Sequence, residues 1–524
     1  MSYDAVLVGS GHNCLLAAVL LARRGWRVAV FEGAATPGGS TRTETLTLPG
    51  FLHDSGSIIH SLFAISPPYA ALREPLARHG LAYRWAQTPV TSLFPDGRAL
   101  TMHRSLPATL GELERFHAGD RAGWQVLYSR FRRGGALWTD LLYDGIGSPR
   151  TAWRGTHLAY RLGRTAGLET ARDLLGSPGA LAARNFSGSE ARAWLAPWGL
   201  NAGFGPESSG GGLYTFLTAM LAQDQGLPVP VGGSGALATA LIGLLREHGG
   251  VLHTGMSVRR VLVRGGRAIG VLLAGGERIE ARRAVIAGTA PGALFLDLVG
   301  PEHLSPTWLR RVRGFRYGTG TFMLHLALRG APRWTGGAPS DTLFAHIGPY
   351  VEDLTLAHAQ ALAGLLPADP FILAGTASLL DPGRAPIGMH TLWVQVATAP
   401  SRIRGDAAGE IVTRDWAAAK PAFAARIIAK LERYAPGISG QILGMCAMSP
   451  DDMQAANPNL VGGDLAAGSH APDQQLIFRP LPGTGGYGTP IRNLYLIGAS
   501  AYPGAGVSGA SGWVLGRRLA REKL

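Results

Sequence analysis

Asp4-Ala5-Val6-Leu7-Val8, then Gly9-Ser10-Gly11-His12-Asn13-Cys14, then Leu15 to Arg24, then Arg27-Val28-Ala29-Val30-Phe31-Glu32: these four runs decide the fold. The first is apolar and of strand length. The Leu- and Ala-rich third run predicts a helix ended by Gly25, and the fourth a strand closed by an acid. Strand, glycine turn, helix, strand and acid is the order in which a glycine fingerprint signals a dinucleotide site. Gly9 permits the tight turn, and Gly11, having no side chain, lets backbone N–H groups approach a pyrophosphate. The helix that begins near His12 and Asn13 points its positive end at that phosphate. Glu32, about twenty residues past the glycines, is placed to accept both ribose hydroxyls and disfavours a 2′-phosphate. The third glycine of the pattern is Cys14 here. It is small and packs as a hydrophobe, so a slightly wider helix–strand crossing is expected, not lost binding. The plainer reading, a parallel-sheet turn with no ligand, leaves the acid and the helix unaccounted for.

Thr36-Pro37-Gly38-Gly39-Ser40-Thr41-Arg42 follows the acid. A Gly-Gly turn at this point is typical of FAD proteins. Further on come Gly50-Phe51 and Asp54-Ser55-Gly56. Near the other end, Asn493-Leu494-Tyr495-Leu496-Ile497-Gly498 predicts a strand, Ala499 to Pro503 a loop, and Gly504-Ala505-Gly506-Val507-Ser508-Gly509 the start of a closing helix. With these motifs the chain resembles the FAD-dependent phytoene desaturase-like oxidoreductases, and most of all the branch named for pyridine nucleotide-disulphide oxidoreductase domain protein 2. The resemblance implies an FAD site formed by Gly9, Gly11, His12, Asn13, Glu32, Gly38, Gly39, Ser40, Thr41, Arg42, Val258, Gly498, Ala499, Gly506 and Val507. Val258 would touch adenine through its backbone; taken alone it is a core valine. Arg42 reads equally as a phosphate or flavin contact and as a surface salt bridge. The closing helix N-terminus would stabilise negative charge on a reduced flavin.

At 524 residues the chain is long enough for two or more cores. Charged residues are only 16% and glycines number 74, which fits a glycine-turned α/β protein and excludes a disordered one. Leu15 to Ala22 is apolar but too short to span a membrane. Met1-Ser2-Tyr3-Asp4 shows no basic stretch before an apolar one, so a cytoplasmic protein without a secretory signal is expected. Cys14 and Cys446 form no Cys-x-x-Cys, which excludes a redox dithiol, a zinc knuckle and disulphide reductase chemistry. No metal is expected. The net charge of +14 comes from 46 arginines and three lysines against 35 acids. The basic residues are scattered and no nucleic-acid motif is present, so nucleic acid is not an expected partner. Peripheral contact with an acidic lipid surface is.

The middle of the chain reads differently. Ser92-Leu93-Phe94 and Ala99-Leu100-Thr101-Met102 flank a Pro-Asp-Gly turn and predict a hairpin in a second sheet. From Thr109 to about Arg192 the pattern is helical, with Trp124, Leu127, Tyr128 and Phe131 on one face. Trp153, Leu158 and Leu162 alternate with Arg154, Arg161 and Arg164. The favoured reading is a helical cap on the second sheet; the other is an amphipathic surface that dips into a membrane. Gly233-x-Gly235-x-x-Ala238 matches the fingerprint literally, but prolines break the preceding run and no acid sits near Gly255, so it is rejected. Gly504-x-Gly506-x-x-Gly509 is rejected for the same want of a following strand and acid. Thr319–Leu328 and Thr391–Thr398 alternate as strands, and Asp406 to Tyr434 reads as one long helix.

The expected fold is therefore α/β: a discontinuous Rossmann-like FAD-binding domain (1–70, 225–300 and 440–524) with a second α+β substrate domain (71–224 and 301–439), mixed sheet plus helical cap, in the flavin amine oxidase and phytoene desaturase architecture. A bound flavin makes hydride transfer the default chemistry. No Ser/His/Asp set or metal-ligand cluster is evident. The expected activity is dehydrogenation, desaturation or isomerisation of an apolar, polyene-like substrate, with quinone or dioxygen as electron acceptor. His60 and His325 are candidates for the flavin face, although a lone histidine in such a place is more often a hydrogen-bonded core residue. A flavin amine oxidase is the rival enzyme; such enzymes commonly hold a lysine near the flavin, whereas Lys420 and Lys430 are expected on an exposed helix and Lys523 is terminal. A non-catalytic, membrane-associated FAD adaptor is the rival from another class, motivated by the Arg-rich helices.

Overall fold

Val6, Leu7 and Val8 are all buried, as a parallel strand covered on both faces requires. The computed structural model describes residues 2–144, 148–348 and 350–521. Met1 and Lys523, used above, lie outside the described residues. Ser2–Val8 is the centre of a seven-stranded sheet, flanked in parallel by Val28–Phe31 and by Arg278–Ala287. Val251–His253 extends the sheet beyond Val28–Phe31. On the other side, Arg278–Ala287 pairs at its end with Leu494–Leu496 and at its start with the antiparallel hairpin Val258–Arg264/Arg267–Leu273. Three distant pieces of the sequence thus share one sheet. Ala5, Leu7, Val28 and Val30 face the helices His12–Ala22, Gly235–Glu247 and Ala510–Arg521, while Val6, Val8, Ala29 and Phe31 face Leu294, Phe295 and Trp308.

The expected widening at Cys14 is handled from the neighbouring strand. Cys14 Sγ sits 3.9 Å from the Val8 carbonyl, and residue 288, which it packs against, is glycine. A Cβ there would overlap the sulfur. The small residue missing from the helix is supplied by the strand end opposite.

A second seven-stranded sheet runs Ile442–Met448, Gly320–Leu328, His390–Ala399, Ile372–Gly375, Phe344–Ile347, Val90–Leu93, Ala99–Met102. All its pairings are antiparallel except Phe344–Ile347 with Val90–Leu93. Phe322, Leu324, Leu392 and Val394 pack on the helix Trp416–Tyr434. The opposite face meets a helical cap, which among the described residues has seven helices between Leu106 and Leu195. Trp124, Leu127, Phe131 and Trp138 are buried in the cap, and Trp124 Nε1–H donates to Gln223 Oε1 at 2.9 Å.

Two expectations are corrected. The long helix begins at Trp416, not Asp406: Asp415 caps it by accepting from the Ala418 amide at 3.0 Å, while Gly405-Asp406 pairs as a short strand with Leu365-Leu366. The boundary at 440 cuts the second sheet, because Ile442–Met448 pairs with Gly320–Leu328.

Candidate active site

Both sheets end at one cavity of about 790 Å³, near the upper end of the size range of ligand pockets. One end is lined by Glu32, Ser257, Val258 and Asp297, the middle by the glycine turn and the segment 497–500, and the far end by the second sheet and the cap.

The glycine turn is held by a relay that the sequence reading missed. The Ser10 amide and hydroxyl both donate to Glu32 Oε2, at 2.8 and 2.6 Å. The Gly38 amide in turn donates to Ser10 Oγ at 3.1 Å, and Ala34 N–H to Glu32 Oε1 at 2.9 Å. Turn, acid and Gly-Gly segment are thereby fixed to one another. Gly9 has φ +91°, a backbone conformation open to glycine. The helix His12–Ala22 carries neither a side-chain cap nor an acid in its first turn, so its N-terminal amides face the cavity uncompensated. Asn13 Oδ1 accepts from Ser511 Oγ at 2.9 Å, tying this helix start to that of Ala510–Arg521.

Gly9, Gly11, His12, Asn13, Glu32, Gly39, Ser40, Arg42, Val258, Gly498, Ala499, Gly506 and Val507 all line the cavity. Gly38 and Thr41 sit behind it: Thr41 is fully buried and its hydroxyl donates to the Gly38 carbonyl at 2.7 Å, closing the turn. Arg42 makes the ion pair of one reading and lines the cavity, where the other would need it. Its buried Nε lies 3.8 Å from Glu44 Oε2, an ion pair too long for a hydrogen bond, and its Nη2 donates to the Ala456 carbonyl at 3.3 Å. The closing helix starts at Ala510, so Gly506 and Val507 belong to the loop before it.

His60 and His325 are not brought to the cavity. His60 is fully buried, with Nδ1 3.0 Å from Tyr83 Oη and Nε2 2.7 Å from Ser234 Oγ. His325 lies toward the Ile442–Met448 edge, paired in register with Trp393 and Cys446, its ring against His53. Burial pushes both imidazoles down to about 3. Neither is positioned as a base. His12 does line the cavity, and burial brings it down to about 4. Burial also pushes the Cys14 thiol up to about 12, which removes any thiolate chemistry there. The expected exposure of the lysines is corrected: Lys420 pairs with Asp452 at 2.8 Å, and Lys430 is buried and pairs with Asp369 at 2.7 Å. Neither lines the cavity.

Asp54 acts from behind the wall, and Gly56 is part of it. The Asp54 carboxylate receives Thr43 Oγ1 at 2.6 Å, the Ser234 amide at 2.7 Å and the buried Arg384 guanidinium. Gly56 packs so closely on the Ser40 carbonyl that a Cβ would not fit, and its own carbonyl accepts Trp393 Nε1–H at 2.9 Å. Sequence reading also missed the segment 455–460. Asn459 there accepts from the Ala290 amide at 2.8 Å and faces the cavity. Asn457-Pro458-Asn459 is a turn signature that could have drawn notice. Phe344, His346, Leu373 and Gln395 were missed as lining residues because alternation does not say which face of a strand meets a cavity, and Trp198 because the cap's docking on the sheet leaves no mark in its short helix Ala196–Ala202.

The arrangement fits a flavin dinucleotide: a carboxylate at one end, uncompensated helix amides in the middle, the Arg42 cation and an unpartnered Thr289 Oγ1 in the walls, and room beyond. The profile of the flavin containing amine oxidoreductase family matches residues 15–401. The chain belongs to that family. It is an FAD-dependent oxidoreductase, in place of the adaptor considered from the Arg-rich helices. It is 29% identical to "Pyridine nucleotide-disulfide oxidoreductase domain-containing protein 2" of Rattus norvegicus, over 97% of this chain and 92% of that one. It is 25% identical to "Phytoene desaturase (neurosporene-forming)" of Cereibacter sphaeroides, over 97% and 92%. A redesigned putrescine oxidase shares the fold with a TM-score of 0.59 at 18% identity, over 99% of this chain and 98% of that one. Among the described residues no helix is long and apolar enough to cross a membrane.

Proposed function

We propose that this family member dehydrogenates, desaturates or isomerises an apolar, polyene-like molecule, with quinone or dioxygen as the final electron acceptor. The carrying observation is the composition of the far end of the cavity. Ile58, Val90, Leu221, Leu227, Phe344 and Leu373 dominate it, and among the described lining residues the carboxylates are Glu32 and Asp297, both at the other end. A protonated amine at the far end would be desolvated with no counter-charge. The similarity to a phytoene desaturase supports the same reading.

FAD, when bound, supplies the two-electron chemistry that accepts a hydride. The chain's own part is placement and dryness. In this proposal Glu32 receives the ribose hydroxyls and the amides after Gly11 receive the pyrophosphate. Gly39, Ser40 and Arg42, with Gly498, Ala499, Gly506 and Val507, flank the flavin half. The apolar wall excludes water and holds the substrate against the ring without a side-chain base, which fits the retreat of His60 and His325 into the core.

Anaerobic mixing of the FAD-loaded protein with apolar polyenes and, separately, with a panel of amines tests this. Bleaching of the flavin absorption by polyenes and not by amines is expected. Peroxide release with amines, and no bleaching with any polyene, would give the function to the amine oxidase reading instead.

A further inference from the structure

His346, Leu373 and Gln395 are in register across three neighbouring strands, so their side chains share the face that lines the cavity. Ser92 continues the row on the far side of His346. Trp198, from the cap, meets His346 edge-on with ring centroids 5.9 Å apart. Trp198, His346 and Gln395 are 4%, 5% and 8% exposed. Their polar atoms are unspent. His346 Nδ1, Trp198 Nε1 and Ser92 Oγ have no partner, and the Gln395 amide makes no hydrogen bond among the described residues. One row away the contrast is plain, because the Trp393 indole N–H is given to the Gly56 carbonyl. Buried polar groups are ordinarily paired. Several unpaired ones in a row, within a mainly apolar wall, point to a ligand that pairs them.

We infer that the substrate bears an oxygen function, a hydroxyl or a carbonyl, on its apolar skeleton, received by Trp198, His346 and Gln395. This rests on the apolar-substrate reading and narrows it. Burial keeps the His346 imidazole neutral, down at about 3, so the ring offers one donor and one acceptor. The indole offers a donor, and the amide both. An oxygen atom can take the indole and amide donors and, as a hydroxyl, return a proton to the imidazole. A hydrocarbon of the same shape would seal all three groups away from water unpaired, which is the situation in which sites reject analogues most strongly.

The test titrates the FAD-loaded protein anaerobically with farnesene, farnesol and farnesal, and with the same three head groups on a geranylgeranyl chain, reading binding from flavin fluorescence. The oxygenated members are expected to bind at least about tenfold tighter than the hydrocarbon. Gln395→Leu and His346→Phe should each collapse that ratio without weakening the hydrocarbon. Equal binding of all three head groups by the unaltered protein overturns the inference and leaves the apolar-substrate reading standing. A changed flavin spectrum in Gln395→Leu with the ratio intact also overturns it, since the amide then serves the cofactor. Binding of none of the six overturns both readings.

Discussion

Glu32 and Cys14 carry the two residue-scale predictions. Glu32 holds Ser10 and Ala34 as well as facing the cavity, so Glu32→Gln removes charge from a site that organises its own walls. FAD affinity is expected to fall about tenfold to a hundredfold, since hydrogen bonds to charged groups contribute roughly 1.5–3 kcal/mol. Equilibrium dialysis of FAD against the apoprotein checks it. Gly288→Ala drives a methyl into Cys14 Sγ and should cost about 1–3 kcal/mol as an overpacked core site. Cys14→Ala clears the space, so the double variant should recover most of the loss in a denaturation cycle; strict additivity would contradict the packing account. Sequence alone announced Glu32 and flagged Cys14 as an exception. It did not show Ser10 as the link or Gly288 as the compensation, because both depend on which strand ends lie side by side.

At the scale of elements, the clamp made by Asp54, Asp381 and Arg384 joins three separate segments, at Asp54, at Pro230 and at 381–384. Arg384 Nε donates to Asp381 at 3.1 Å, its Nη1 to Asp54 and its Nη2 to the Pro230 carbonyl at 2.8 Å, and the whole group is buried. Arg384→Leu leaves two carboxylates without their cation and is expected to cost about 3–5 kcal/mol, read as a lowered melting temperature. A loss under about 1 kcal/mol would mean the clamp is not an ion network. The hairpin around Pro95-Asp96-Gly97 and the strands of the second sheet were legible from turn chemistry and alternation. The start of the helix at Trp416 was not: Ala407 to Asp415 carries no strong breaker except Gly409, and the pairing of Asp406 with Arg426 is made across twenty positions, outside the helix that Asp415 caps.

For the whole molecule, buried histidines set the acid limit. His60, His325 and His346 are held down to about 3 in the folded protein by burial, against 6.5 ordinarily. The folded state then binds fewer protons than the unfolded one. Their contribution is intact above about pH 6.5 and is withdrawn as pH falls from 6.5 toward 3. At about pH 5.5 each withdraws about 1.4 kcal/mol, so the urea midpoint should drop between pH 7.5 and 5.5. His325→Phe, which removes one of the three, should flatten that slope. The cap shows a second whole-molecule feature. Trp153 is 65% and Tyr160 85% exposed, with Leu168 and Leu175 also outward, beside Arg150, Arg161 and Arg164. A peripheral contact with anionic bilayers is the proposal for this face. Co-flotation with phosphatidylserine vesicles, lost in a Trp153→Ser/Tyr160→Ser variant, is expected; equal flotation of the variant would remove this face from consideration.

The order of strand, glycine turn, helix, strand and acid determined the Ser2–Val8/Val28–Phe31 pair of the first sheet, its helix and its cofactor end, because those contacts form between residues close in the chain and each has a residue-type requirement of its own. The Gly-Gly turn and the Gly498 to Gly509 segment added the flavin character. What fills the far end of the cavity was decided only in three dimensions. Which strand lies beside which, and which face turns inward, depends on pairings between residues hundreds of positions apart, such as Gly56 with Trp393 or Asp54 with Arg384. Such pairings leave no periodic mark in the sequence. The same burial that makes those contacts also withdrew His60 and His325 from the cavity and set Trp198, His346 and Gln395 in its wall.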